Sequence, residues 1–155
     1  MDSVIADDID EGDTMSLRGF ATLNIWADDV AAATEWYAEF LGQEAYFLRP
    51  GPDGRPAYTE FRIGDYQGEL GIIDRRWAPP GATARPGGVV MHWHVDDLEA
   101  TVARLLAMGA TEYQPITPHG DQGFITASVV DPFGNVLGVM TNPHYLDVLA
   151  ARATA

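Results

Sequence analysis

The amino-acid sequence predicts an α+β fold: two tandem βαβββ modules whose strands form a curved mixed sheet around a cup-shaped pocket. Three observations predict it. The stretch from Phe20 to Val30 aligns without a gap on that from Gly88 to Leu98, an offset of 68 residues that sets Asp96 against Asp28. Each stretch alternates apolar and polar residues at the two-residue period of a strand and then meets an Asp-Asp pair. After each pair the apolar spacing becomes helical, and a glycine, Gly42 or Gly109, follows where a left-handed residue ends a helix.

The elements follow in order. The first helix carries Val30, Ala33, Tyr37 and Phe40 or Leu41 on one face; the second carries Leu98, Val102, Leu105 and Leu106. The Asp pairs offer side-chain acceptors and negative charge to the helix N-termini, and Asp96 with Glu99 has the spacing of a capping box. Three strands are expected after each helix: residues 45–49, 57–63 and 69–74, then 112–116, 124–130 and 136–141. Turns rich in Gly, Pro and Asp part them. The last of these turns, Asp131, Pro132, Phe133, Gly134 and Asn135, reads as a structural hairpin turn. The expected organisation is a disordered acidic tail (1–16), module 1 (17–76), a Pro/Gly linker (77–88), module 2 (89–142) and a C-terminal tail with a short helix (143–155).

Strand alternation assigns faces. Ala21, Leu23, Ile25 and Ala27 form an apolar row opposite Thr22, Asn24 and Trp26. In the repeat, Val89, Met91, Trp93 and Val95 oppose Val90, His92 and His94. The apolar rows are expected under the helices, with Trp93 as core. The mixed rows then line the cup, a lining suited to a small molecule. His92 and His94 share one face. They are candidate acid–base groups or ligands of a relocated metal, set against the plainer reading of pocket lining. Trp26 is placed to stack on a flat or cationic ligand, or to pack in the core. Glu69 is a candidate base, or a carboxylate paired with an Arg. His119 and His144 read as surface residues, and Arg75 and Arg76 as solvated charge.

Composition excludes several functions. The 155 residues carry 9 basic and 23 acidic side chains, a formal charge of -14. Such a balance opposes binding to nucleic-acid phosphates or anionic membranes and favours a neutral or cationic ligand. All the basic residues are Arg, so lysine Schiff-base chemistry is absent. The lack of cysteine removes disulfides and thiolate chemistry. Six of the acids precede Met15, and without them the charge is about -8, ordinary for a soluble domain. No secretory leader or membrane-length apolar run is read, so a cytoplasmic location is the default expectation.

Three segments sit on this duplicated frame in order: Trp36-Tyr37-Ala38-Glu39-Phe40-Leu41-Gly42, His94-Val95-Asp96-Asp97-Leu98-Glu99, and Asp131 to Asn135. Together they resemble the vicinal oxygen chelate superfamily of glyoxalases, bleomycin resistance proteins and extradiol dioxygenases. The resemblance spans nearly all of residues 20–141. It implies four inward metal ligands, which here fall on Thr22, Glu69, Val90 and Gly138. Of these only Glu69 is a good ligand, and Val and Gly cannot complete a metal's coordination sphere.

The expected function is therefore binding of a small organic molecule, aromatic or cationic and antibiotic-like, without metal or other cofactor. The expected ligand-binding residues are Thr22, Asn24, Trp26, Glu69, Val90, His92, His94, Gly138 and Met140. The alternative is a lyase, isomerase or dioxygenase-like enzyme. It would use Glu69 with His92 or His94 as acid–base groups or around a displaced metal. The resemblance also implies a homodimer.

Overall fold

The structure, a computed structural model, describes residues 19–82 and 86–154. The acidic tail expected over 1–16 lies outside the described residues. The chain runs β1 (Thr22–Ala27), α1 (Val30–Leu41), β2 (Phe47–Pro50), β3 (Pro56–Ile63) and β4 (Gly68–Asp74), followed by a single 3-10 turn at Arg75–Trp77. It then runs β5 (His92–His94), α2 (Leu98–Ala107), β6 (Thr111–His119), β7 (Phe124–Val130), β8 (Val136–Thr141) and α3 (Pro143–Ala153).

The βαβββ order occurs twice, as expected, and each module contributes one four-stranded mixed sheet. Their orders are β1-β4-β3-β2 and β5-β8-β7-β6, and in each the first strand runs parallel to the fourth. The strand expected from Val89 is shorter than its counterpart in module 1. Only His92–His94 pair with β8, and Val89 is 92% exposed. Alternation makes Val89 eligible for a strand, yet among the described residues nothing pairs with it.

Side-chain caps start both main helices, as the Asp pairs predict. Asp29 accepts the Ala32 N–H at 3.0 Å, and Asp97 accepts that of Ala100 at 2.9 Å. The capping box expected at Asp96 and Glu99 does not form, because the second Asp of the pair is the cap. Gly42 closes α1 in the left-handed conformation (φ 68°), which a glycine adopts without a Cβ clash.

Two apolar cores lie under the helices. Val30, Ala33 and Tyr37 of α1 meet Ala27, Phe61, Leu70 and Ile72; Leu98 and Leu105 of α2 meet Ala127, Val129, Leu137 and Val139. Leu106, expected on the buried face, is 41% exposed, because only Leu98 and Leu105 of α2 reach full burial. Trp36 and Trp93 pack against both cores and join them, with Phe40 stacked on Trp93 at 6.5 Å.

Polar contacts from the turn 131–135 fasten the modules together. Buried Tyr37 donates its hydroxyl to Asp131 at 2.5 Å. The Asn135 side chain accepts the Trp26 N–H at 3.2 Å and donates to the Trp26 carbonyl at 2.9 Å. Arg75, expected as solvated charge, donates to Asp28, to the Trp26 carbonyl and to the Phe133 carbonyl at 3.0, 3.3 and 2.7 Å.

One consequence is alkaline sensitivity. Burial, then the neighbouring charge of Asp131, raises the Tyr37 ionisation well above its ordinary value. The folded state therefore keeps a proton that the unfolded chain loses above pH about 10. Stability from this group is complete below that pH and falls above it, by up to about 1.4 kcal/mol per pH unit. Urea denaturation at pH 9 and 11 is expected to give a smaller loss for Tyr37→Phe than for the parent. Equal losses would sink the assignment.

Candidate functional site

A cavity of about 520 Å³ opens between the modules. One wall is the start of β1 with Thr22 and Leu23, the start of β4 with Glu69 and Leu70, and the β3–β4 turn with Ile63 and Tyr66. The facing wall is Val89 to His94, the end of β8 at Met140, and Asn142 and Tyr145 at the start of α3. Apolar and aromatic side chains dominate both walls, and the volume suits a small organic molecule.

Of the nine expected ligand residues, Thr22, Glu69, Val90, His92, His94 and Met140 line this cavity; Asn24, Trp26 and Gly138 do not. Trp26 is held at the module junction by the Asn135 bonds. Asn24 and Gly138 belong to a device that both modules use. In the sheet registers Asn24 lies beside Gly71, and His92 beside Gly138. A Cβ on Gly71 would come within 2.2 Å of Asn24 Oδ1, and one on Gly138 within 2.8 Å of the His92 ring. In each module, then, a glycine on the fourth strand makes room for a polar side chain from the first.

This register also identifies Gly71, not Glu69, as the counterpart of Gly138 within the repeat. The stretch 131–135 is a residue shorter than its counterpart 63–68, so the fourth strands fall out of step with the first. Glycine stands at both equivalent places, and Val90 offers no donor atom. These residues do not fit the octahedral or facial donor set of the family's metal. Among the described residues no group of three His, Asp or Glu is arranged to hold a metal ion.

The remaining polar groups are largely committed elsewhere. Glu69 is paired with Arg62 at 3.0 Å and approached by the Tyr46 hydroxyl at 3.4 Å. Beside it Glu60 accepts hydrogen bonds from Tyr46 and Tyr58. Burial pushes the Glu60 carboxyl up, but those bonds and the Arg62 charge outweigh it and hold the group below the usual range. Burial and the bond to Glu60 push the Tyr58 phenol upward. Glu69 is thus in the Arg-paired form that the sequence leaves open.

His94 accepts the Asn142 N–H on Nδ1 at 3.0 Å and stacks on Tyr145 with ring centroids 5.0 Å apart. That bond places the proton of the neutral ring on Nε2, which lies 3.8 Å from Asp96 and has no hydrogen-bond partner among the described residues. His94 braces the start of α3. His92, by contrast, rests over Gly138 at the cavity wall. His119 and His144 are exposed, with His119 bonded to Thr126.

Sequence reasoning does not single out Tyr66, Met91, Asn142 or Tyr145 as lining residues. A signal for Tyr66 existed in the repeat, since its turn is the counterpart of the one at 131–135. None existed for Tyr145, which follows the duplicated unit.

A model of the Glyoxalase/Bleomycin resistance protein/Dioxygenase superfamily matches residues 19–139. The chain belongs to that superfamily. An uncharacterized protein of Mycobacterium tuberculosis strain H37Rv is 29% identical over 135 residues, which span 81% of this chain and 76% of the relative. Among solved structures, a glyoxalase-related enzyme from Fulvimarina pelagi superposes with a TM-score of 0.64 at 20% identity, covering 82% of this chain and 90% of its own. TnmS3, an antibiotic binding protein from Streptomyces sp. CB03234, gives 0.58 at 24% identity, covering 83% and 98%. At such identities the superfamily structures share the fold. Within it, this chain departs from the metal-binding pattern at Val90 and Gly138, and α3 lies wholly past the matched residues. Among the described residues no helix is long and apolar enough to cross a membrane.

Proposed function

We propose that the protein binds a small, flat organic molecule, aromatic and antibiotic-like, in the cavity between its modules without a metal ion. The observation that carries this reading is the cavity itself: about 520 Å³ and walled by Leu23, Ile63, Leu70, Met91, Trp93 and Met140, with no side-chain donor at Gly71, Val90 or Gly138. The antibiotic-binding activity named for TnmS3 supports it by analogy of fold.

Charge has a small part in selection. The overall charge of -14 disfavours polyanions, but Glu69 is already paired with Arg62 and offers a cation little. Shape and ring stacking therefore carry more of the selection than charge does. Catalysis on the same wall would rest on His92, since Glu69 and His94 are both engaged. The reading includes a homodimer, favoured by the exposed Phe47, Leu48, Tyr113 and Ile116 on the outer strands β2 and β6.

Elemental analysis of protein purified without tag or chelator is expected to find far less than one metal per chain. A thermal-shift screen of flat aromatics, anions and cations should yield stabilisation by aromatics, worth about 2.7 kcal/mol at a hundred times Kd. Stoichiometric metal that disappears in His92→Ala, or a screen without an aromatic hit, would overturn the reading. A monomer's mass by light scattering would remove the homodimer from it.

A further inference from the structure

The two ends of the junction between modules are closed in different ways. At one end Asn135 of module 2 pairs with both backbone groups of Trp26. The repeat places His94 at the equivalent of Trp26, yet the turn 64–67 makes no such bond to it among the described residues. There the cavity opens, and α3, outside the family match, supplies the wall instead.

Tyr145 lines that wall and is held from three sides. Its ring stacks on His94, with an interplanar angle of 18°. Its edge meets the Tyr66 ring at 5.5 Å, and its hydroxyl donates to Asp65 at 2.9 Å. Arg152, near the end of the same helix, lies over Tyr66 at 4.5 Å and fastens α3 to the same turn. Asn142 caps the helix by accepting the Tyr145 N–H at 3.0 Å. A flat ring fixed in this way lines the cavity without having to lose rotamer freedom when a ligand binds.

We propose that Tyr145 is a specificity-determining residue: it walls one end of the cavity with a ring held in place by Asp65, and so selects flat aromatic ligands over non-planar ones. The proposal rests on the cavity being a ligand site, as inferred above. Asp65 is a positioning residue, because it acts through Tyr145 and does not itself line the cavity.

The test is a fluorescence titration of the full chain with two neutral probes, flat Nile red and twisted N-phenyl-1-naphthylamine. The parent is expected to prefer Nile red. Tyr145→Ala should weaken Nile red by roughly five- to ten-fold, the worth of about one aromatic contact, while changing the twisted probe by less than about two-fold. Asp65→Ala and Tyr145→Phe, which keep the ring but release its anchor, should lose part of the preference. Circular dichroism and thermal melts establish that each variant is folded. An unchanged preference in folded Tyr145→Ala would overturn this proposal and leave the binding reading standing. A parent that binds neither probe would overturn both.

Discussion

Asp131→Ala is expected to destabilise the protein by about 3–5 kcal/mol, which urea denaturation would read as a large fall in midpoint. Asp131 is 3% exposed. Its carboxylate accepts the Tyr37 hydroxyl at 2.5 Å and the backbone N–H groups of Phe133 and Asn135 at 2.9 and 2.8 Å. The Asn135 side-chain amide also reaches it at 3.2 Å. Hydrogen bonds to a charged partner contribute about 1.5–3 kcal/mol each, and an orphaned buried donor costs about 1–3 kcal/mol. The alanine variant loses several such bonds, strands the Tyr37 hydroxyl and loosens the turn that grips Trp26. Asp131→Asn keeps one oxygen and should lose less than half as much. A loss below about 1 kcal/mol in Asp131→Ala would mean that the turn does not carry the module junction.

Gly138→Ala should cost about 2–3 kcal/mol, at the upper end of overpacking changes, and should expel His92 from the cavity wall. An added Cβ would meet the Met91 carbonyl at 2.6 Å and the His92 ring at 2.8 Å. The first obstacle is backbone, and Gly138 donates its own N–H to that same carbonyl at 3.1 Å. Strand β5 therefore has to move, and with three residues it has little pairing to spare. Gly71→Ala is the control, since the three atoms nearest its Cβ all belong to the side chains of Asn24 and Tyr58. Those can shift at lower cost, on the order of 1 kcal/mol. Denaturation midpoints for both variants, with the His92 ring resonances followed by NMR, would check the contrast. Equal losses, or an undisturbed His92, would count against the fit. A glutamate at Gly138 meets the same obstacle, so one substitution there should not restore a metal ligand.

Several features of the fold are legible because they act over a few residues. Period-two alternation marks β1, and the helical spacing of Val30, Ala33 and Tyr37 marks the buried face of α1. An Asp pair marks each helix start, although which Asp caps is a matter of backbone angle, and Asp97 rather than Asp96 takes the place. The repeat overstates β5, because strand character at Val89 needs a partner that the local pattern does not supply. Arg75 reads as solvated until the distant Phe133 carbonyl, 58 residues on, is seen to meet it.

Residue chemistry alone specifies the duplicated βαβββ frame, the apolar faces of both helices, the superfamily, and the absence of donors at Val90 and Gly138. Each follows from residue chemistry or from periodicity, which the chain carries locally. That Glu69 is spent on Arg62, that His94 braces a helix, and that Tyr145 walls the cavity become visible once the chain is folded. The physical reason is common to all three: pairing, bracing and walling depend on which segments meet across the junction between modules. No pattern within a single segment encodes that meeting.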